Sequence, residues 1–352
     1  MKVINALWQM VTTYWKYRNY DPVLKTSVLL IGSAILLIPS VPLTFFLATS
    51  LFEVPLWVEV SSDSVFWLAV GMLAVGVVLL LWRSSSLQKQ ITGVLIVQRF
   101  MAGMSATNPK QVLPTQMKLG ELVIIDQDEQ SSQRDGVVID PAGMLRKVNN
   151  LDEVLQSHLG RELAVPVAYA GLAPVPILVA AGYRLTSRQQ VIFLDFDRDT
   201  GWHMLDDLDD GEQLEMTQPR LAPTTQVGLV LSISASINPN DVPRPIVDNC
   251  YFGAVSKGPR RDSASSEYKQ KRICRELYDL LASIRSRHSE VETVHVFLAS
   301  QASFAVRFGS TITQSVHPAV RVYQYEKGEY TWSILVNSGQ EPTLVPSCPQ
   351  SH

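Results

Sequence analysis

Residues 170–182 read AGLAPVPILVAAG, and residues 297–309 read FLASQASFAVRFG. With Gly182 set on Gly309, the two stretches share one plan. Each leaves an apolar strand, turns on small residues and enters a short apolar helix that ends at glycine, a common helix stop. Further on, Leu185 and Thr186 match Ile312 and Thr313, VIFLDFDR (191–198) matches VRVYQYEK (320–327), and Trp202 matches Trp332. Such a repeat predicts two pseudo-symmetric halves. Open parallel sheets bind ligands beyond the carboxyl ends of their strands. Two such ends facing each other would build one shared pocket.

The pattern extends in both directions. Apolar spacing predicts helices over 151–163, 176–182, 265–288 and 304–309, and strands over 164–170, 191–196, 227–237, 294–299 and 320–325. Short strands alternating with helices predict a mostly parallel, Rossmann-like α/β sheet. The ligand domain is therefore expected over 151–340, with halves of about 151–250 and 251–340 and a tail over 341–352. Residues 83–150 read as a linker. Within it, 84–106 is apolar enough for a helix continuing from the segment before it, 108–119 is a connector, and 122–148 is a small strand-turn-strand extension.

Residues 27–82 contain no Lys or Arg and two long apolar runs. The second, 65–82, nearly crosses a hydrocarbon core of ~30 Å at 1.5 Å per residue. Trp67 and Trp82 lie near its ends, where amphipathic rings favour the interface. The first, 27–51, carries Pro39 and Pro42, which kink a helix; it reads as a kinked spanning helix or a re-entrant hairpin. Lys2, Lys16, Arg18 and Lys25 precede the runs, and Arg83, Lys89 and Arg99 follow them. Only Glu53, Glu59 and Asp63 lie between. Positive flanks stay inside, so both termini are expected in the cytoplasm of a multi-pass inner-membrane protein. Residues 1–26, with Trp8 and Trp15, read as an interfacial or a packed helix.

The net charge of −3 does not point to DNA or RNA. Cys250, Cys274 and Cys348 match no zinc or redox spacing. No P-loop and no Ser/His/Asp or Cys/His constellation is present. Asp195, Asp197 and Asp199 suggest a D-x-D cation loop, but its sixth position holds Thr200, with Gly201 one place late.

HVFLASQASFAVRFG (295–309) with HPAVRVYQYEKGEYTWSILVN (317–337) resembles the SAVED domain. The resemblance spans roughly 151–337 and takes in the Ser-rich strand and the long basic helix. It departs at Gln301, where the family often has Pro; the first copy carries Pro174 at the matching place. The resemblance implies two fused CARF-like halves that bind a cyclic oligonucleotide, a cyclic tri- or dinucleotide, made by bacterial anti-phage (CBASS) signalling. Two membrane helices ahead of such a domain resemble the membrane-type effectors of those systems. That likeness implies no catalysis and no cofactor, but ligand-driven homo-oligomers that act on membrane lipid. The alternative is a metal-dependent nucleotide or sugar-nucleotide enzyme using the Asp195/Asp197 strand end.

The candidate ligand-binding residues follow from the strand ends. Ser300, Gln301 and Ser303 lie where a strand turns into a helix, and free N–H groups there suit a phosphate or a base edge. Ser303 could equally cap the helix, and Phe304 could stack on a base or pack in the core. Gly171, Ala173 and Pro174 form the matching turn. Ser232 and Ser234 share one face of a strand. Lys257 and Arg260 lie in a Gly/Pro loop and could pair with phosphate, or belong to a solvated face.

Overall fold

The computed structural model describes residues 22–37, 62–89, 91–101, 108–118, 121–159, 165–186, 191–218 and 224–346. They form two compact units. The first holds helices α1 (Pro22–Leu37) and α2 (Ser62–Lys89). Residues 63–83 of α2 are, among the described residues, the one helical stretch long and apolar enough to cross a membrane. At 1.5 Å per residue they rise roughly 31 Å. Trp67, Leu68, Val78 and Trp82 on it are exposed, as a lipid-facing surface requires. Gly76 sets the approach of α1: a Cβ there would lie 2.8 Å from the Ile31 side chain and 3.0 Å from the Ser27 carbonyl. Ala34 and Ala69 are fully buried. Small residues let helices without a solvent-driven hydrophobic force pack by contact. The rest of the first apolar run, the acidic loop with Glu53 and Glu59, and residues 1–21 lie outside the described residues.

The second unit begins at Ile91. Here the structure corrects the expectation of a continuing helix over 84–106. Residues 91–99 form strand β1 (Ile91–Arg99), which pairs in parallel with a central strand of the first sheet. Six consecutive positions of it are buried. Its ITGVLIV run is rich in β-branched residues, which suit a strand buried on both faces. The reading of 83–150 as a linker is corrected with it. Edge strand β2 (Glu121–Asp128) lies beside β1, and a small hairpin joins β3 (Gln133–Arg134) to β4 (Val137–Val138) through Asp135 and Gly136, both at positive φ. Helices α3 (Pro141–Asn149) and α4 (Leu151–Leu159) follow. Then come β5 (Val167–Leu172), α5 (Val175–Arg184), β6 (Val191–Asp197) and β7 (Gly201–Met204). The five-stranded sheet has the order β2-β1-β5-β6-β7.

The second sheet starts earlier than the expected boundary at 251. Strands β8 (Leu214–Thr217) and β9 (Gln226–Ser232) already belong to it. After the short α6 (Arg244–Val247) come β10 (Cys250–Val255), α7 (Glu267–Arg287), β11 (Thr293–Ala299), α8 (Ala302–Thr311), β12 (Ala319–Glu326), β13 (Glu329–Val336) and β14 (Thr343–Pro346). The order is β14-β13-β12-β11-β9-β10-β8.

Strand registers make the repeat quantitative. Val167 of β5 pairs with Val191 of β6 as Val294 of β11 pairs with Val320 of β12, both in parallel. The hairpin partners β7 and β13 are antiparallel to β6 and β12. On the other side, β1 flanks β5 as β9 flanks β11. Arg99 pairs with Leu172 where Ser232 pairs with Ala299. The strand read as a helix is thus the first half's counterpart of the Ser-rich strand.

The halves meet where α5 crosses α8. A Cβ built on Gly182 would overlap the Val306 carbonyl oxygen, and one built on Gly309 would overlap the Val179 carbonyl oxygen. These four residues are related by the repeat itself, so the crossing is a local two-fold. One continuous apolar core runs from Val94 and Tyr169 through Ile177 and Val179 to Phe304, Val306 and Val322. Alanine is the better helix former by about 1 kcal/mol, but a methyl forced onto a fixed carbonyl costs roughly 1–3 kcal/mol. Gly182→Ala and Gly309→Ala should each lower the thermal unfolding midpoint of the second unit by similar amounts. The double variant should cost less than the sum, because both open the same joint. Unchanged midpoints would show that the helices can separate freely.

Candidate ligand-binding site

Both sheets end their central strands in the same local design. The Phe100 amide donates to the Leu172 carbonyl at 2.8 Å, and the Ile233 and Ser234 amides donate to the Ala299 carbonyl, each at 2.9 Å. The chain folds over the strand end before entering α5 or α8. The Gly171–Pro174 turn is buried and apolar. The Ser300–Gln301 turn is polar and half-buried. The Ser300 hydroxyl donates to the Gln301 carbonyl at 3.1 Å, and the Ser232 hydroxyl accepts from the Ile237 amide at 3.0 Å. Among the described residues, Gln301 Oε1 is buried without a hydrogen-bond partner. A buried acceptor left open costs about 1–3 kcal/mol, so this turn is ready to receive a donor.

The expected phosphate seat at the start of α8 has a carboxyl group close by. Asp195 of β6, from the other half, is buried near Ser303. Burial raises this carboxyl above its ordinary range; the Phe196 amide, His203 and Ser303 pull the other way. A carboxyl group there competes with an anion for the helix's positive end. Ser303 accepts from Gln270 Nε2 at 2.8 Å and is 1% exposed. It lies inside α8, behind the N-cap Gln301, and is held by Gln270, not by a capping bond; Phe304, fully buried, offers no face to a ligand. By strand register the counterpart of Asp195 is Gln324, which is uncharged.

This proximity also bears on the geometry of the site. Asp195 stands near the carboxyl end of β6, and Ser303 follows the carboxyl end of β11. The two carboxyl edges therefore lie side by side. A second contact ties them: Arg261, from the loop after β10, pairs with Asp197 at 3.0 Å. The Asp197 Oδ1 atom also accepts from the amides of Asp199 and Thr200 at 2.8 and 2.9 Å. Those amides, with Arg261 and the Thr200 hydroxyl, hold its carboxyl below the usual range. The D-x-D stretch is a closed Asx-type turn with an arginine partner. Among the described residues, no three His, Cys, Asp or Glu side chains are grouped to hold a metal.

Lys257 and Arg260 are committed elsewhere. Lys257 Nζ lies 3.6 Å from Asp210, and Arg260 grips Glu212 through two bonds of 2.7 and 2.8 Å. Glu212 is 1% exposed and also pairs with the buried Lys269. Arg272 holds Asp209 at 2.9 Å. The LDDLDDGE run is thereby the acidic side of an ion network, not a free loop. The Arg260 bond, with Lys269 and the Lys257 amide, pulls Glu212 from 4.5 to about 2.

The sequence reading missed Arg99. It closes β1 at the position matching Ser232 and is partly exposed. Its Nη2 pairs with Asp126 at 2.8 Å and Asp128 at 3.5 Å, while its buried Nε has no partner among the described residues. The β-branched run before it carried the signal.

Comparison with known proteins places the fold in a class of sensor domains. The family model described as SAVED, SMODS-associated and fused to various effectors sensor domain, matches residues 149–336. That is more than half of the chain, and the protein belongs to the SAVED family. No curated protein sequence matches it. Similar solved structures include the Acinetobacter baumannii Cap4 SAVED/CARF-domain containing receptor with the cyclic trinucleotide 3'3'3'-cAAA. It is 12% identical, with a TM-score of 0.48, over 76% of this chain and 59% of that chain. The same receptor with 2'3'3'-cAAA is 11% identical, with a TM-score of 0.45 and the same coverage. The Moraxella osloensis Cap4 receptor is 10% identical, with a TM-score of 0.44, over 78% of this chain and 60% of that chain. The chain spans about three-fifths of the length of these structures.

Glu212 yields a pH test. Its folded pKa lies below its ordinary value, so its contribution is complete above about 4.5 and fades as pH falls toward about 2. Glu212→Gln leaves Lys269 buried beside a neutral amide. At pH 7 the variant should lose roughly 3 kcal/mol, the scale of breaking a buried pair. The gap to the parent should close in urea titrations run at successively lower pH. A gap that stays constant down to pH 3 would remove Glu212 from the network's energetics.

Proposed function

We propose that this protein is a membrane-anchored sensor that binds a cyclic oligonucleotide at the paired carboxyl edges of its SAVED domain. Family membership supports a sensor. The observation that carries the reading is the 3.0 Å Arg261–Asp197 pair, which supports one shared surface at the two strand ends. That surface is uneven. Ser300, Gln301, Ser232 and Ser234 line one side, Arg99 ends the other, and Asp195 competes with an anion at the start of α8. A ligand would therefore set base edges against the Ser300–Gln301 turn and its phosphates nearer Arg99.

Ligand binding favours an associated state for which it has higher affinity. Association concentrates the α1–α2 helices of several copies, which then act on the bilayer in anti-phage defence. The apolar α2, with no charge between Asp63 and Arg83, supports membrane anchorage.

The probe is 3'3'3'-cAAA, titrated into the full chain in detergent and followed by calorimetry. Arg99→Ala should weaken binding by roughly 1.5–3 kcal/mol, the scale of a hydrogen bond to a charged group, which is about tenfold or more. Ser300→Leu with Gln301→Leu should abolish it. No binding by the parent to this or other cyclic di- and trinucleotides would sink the reading.

In liposomes, the cyclic nucleotide should release dye from vesicles carrying the parent and not from those carrying the Leu double variant. Equal leakage without ligand would separate membrane damage from sensing.

A further inference from the structure

A cleft of about 310 Å³ opens on the outer face of α7 and α8, away from the strand ends. Lys271, Arg275 and Tyr278 project into it from one face of α7 at helical spacing, and Arg307 and Thr313 line it from α8 and the segment beyond. No acidic side chain is among its lining residues. Glu267 sits nearby, 2.9 Å from Lys271 and 3.3 Å from Arg307, and Asp279 lies 3.7 Å from Arg275. Three cations thus face two carboxylates, which leaves a net positive charge.

Arg307 is the unusual member. It is 7% exposed and its guanidinium lies 4.7 Å from the centre of the Phe193 ring. Nε donates to Gln270 at 2.9 Å and Nη2 to Glu267 at 3.3 Å. A guanidinium that lines a cleft and carries more N–H groups than these two bonds use suits oxygen acceptors. The hydroxyls of Ser310 and Thr311 donate to the carbonyls of Arg307 and Phe308, at 2.7 Å each. Those bonds quiet the negative end of α8 that would otherwise repel an anion.

The geometry points to a second ligand site here, an oxyanion seat that takes a phosphate group on Arg307, Lys271 and Arg275. It communicates with the strand ends through one hydrogen-bonded chain. Arg307 donates to Gln270 Oε1, and Gln270 Nε2 donates to the Ser303 hydroxyl at the start of α8. An anion that draws Arg307 toward the cleft loosens its hold on Gln270, and the Ser300–Ser303 turn feels the change. This coupling rests on the proposed function; the seat itself does not.

The test uses the full chain in detergent at constant ionic strength, with inorganic phosphate, adenosine 5'-monophosphate or chloride as the added anion. Phosphate and the mononucleotide should raise the unfolding midpoint saturably, and chloride should not. Lys271→Gln with Arg275→Gln, both exposed positions, should weaken that response at least tenfold and leave the anion-free midpoint nearly unchanged, since each loses only an exposed i,i+4 pair. A response shared by chloride, or kept by the double variant, would overturn the seat. Saturating phosphate should shift the dissociation constant for 3'3'3'-cAAA about fivefold or more, the lower range of allosteric coupling, and Gln270→Leu should erase the shift. Unchanged cyclic-nucleotide affinity would overturn the coupling and leave the seat. Saturable phosphate binding with no cyclic-nucleotide binding at all would sink the proposed function and leave the seat.

Discussion

Two backbones meet at the crossing of α5 and α8, and no side chain fits between them. Gly182 faces the Val306 carbonyl and Gly309 faces the Val179 carbonyl. Because the four positions are equivalent in the repeat, the contact can form only if the halves are related by a near two-fold. That requirement sets how each crossover helix lies against the opposite sheet, and so which strand ends become neighbours. The continuous core through Ile177, Val179, Phe304 and Val306 is the energetic consequence. Packing at close backbone distance tolerates no spare volume.

Charge then breaks the symmetry that packing creates. The start of α8 meets Asp195, while the register-matched partner in the other half is Gln324. The carboxyl group near one helix start has no charged counterpart at the matching position of the other half. The same happens with the basic loop. Arg261 reaches the other half to hold Asp197, whereas Lys257 and Arg260 stay within their own half on Asp210 and Glu212. Cations that look equivalent along the chain do different work once their acids are placed. Two similar halves thereby present unlike polar surfaces at their strand ends.

The repeat, the alternation of strands and helices, and the apolar stretch of α2 were legible along the chain, because each follows from local spacing. Gly182 and Gly309 read as helix stops, but the helices run past them to Arg184 and Thr311, and the glycines serve the crossing instead. The run over 91–99 was misread. A buried parallel strand and a helix are both continuous apolar stretches, and periodicity does not separate them. Its β-branched residues favoured the strand. The error hid Arg99 and moved the start of the first half sixty residues downstream.

Sequence alone determined that this chain carries two related α/β halves behind an apolar segment, since repeat and hydropathy are properties of neighbouring residues. Which polar groups remain open for a ligand was decided by the tertiary structure. Ser303, Lys257 and Arg260 read as ligand contacts because nothing in the local sequence names their partners. Those partners are Gln270 for Ser303, and Asp210 and Glu212 for the two cations. Each lies more than thirty residues away along the chain. A hydrogen bond or ion pair is spent or free according to distance in space, and only folding sets that distance.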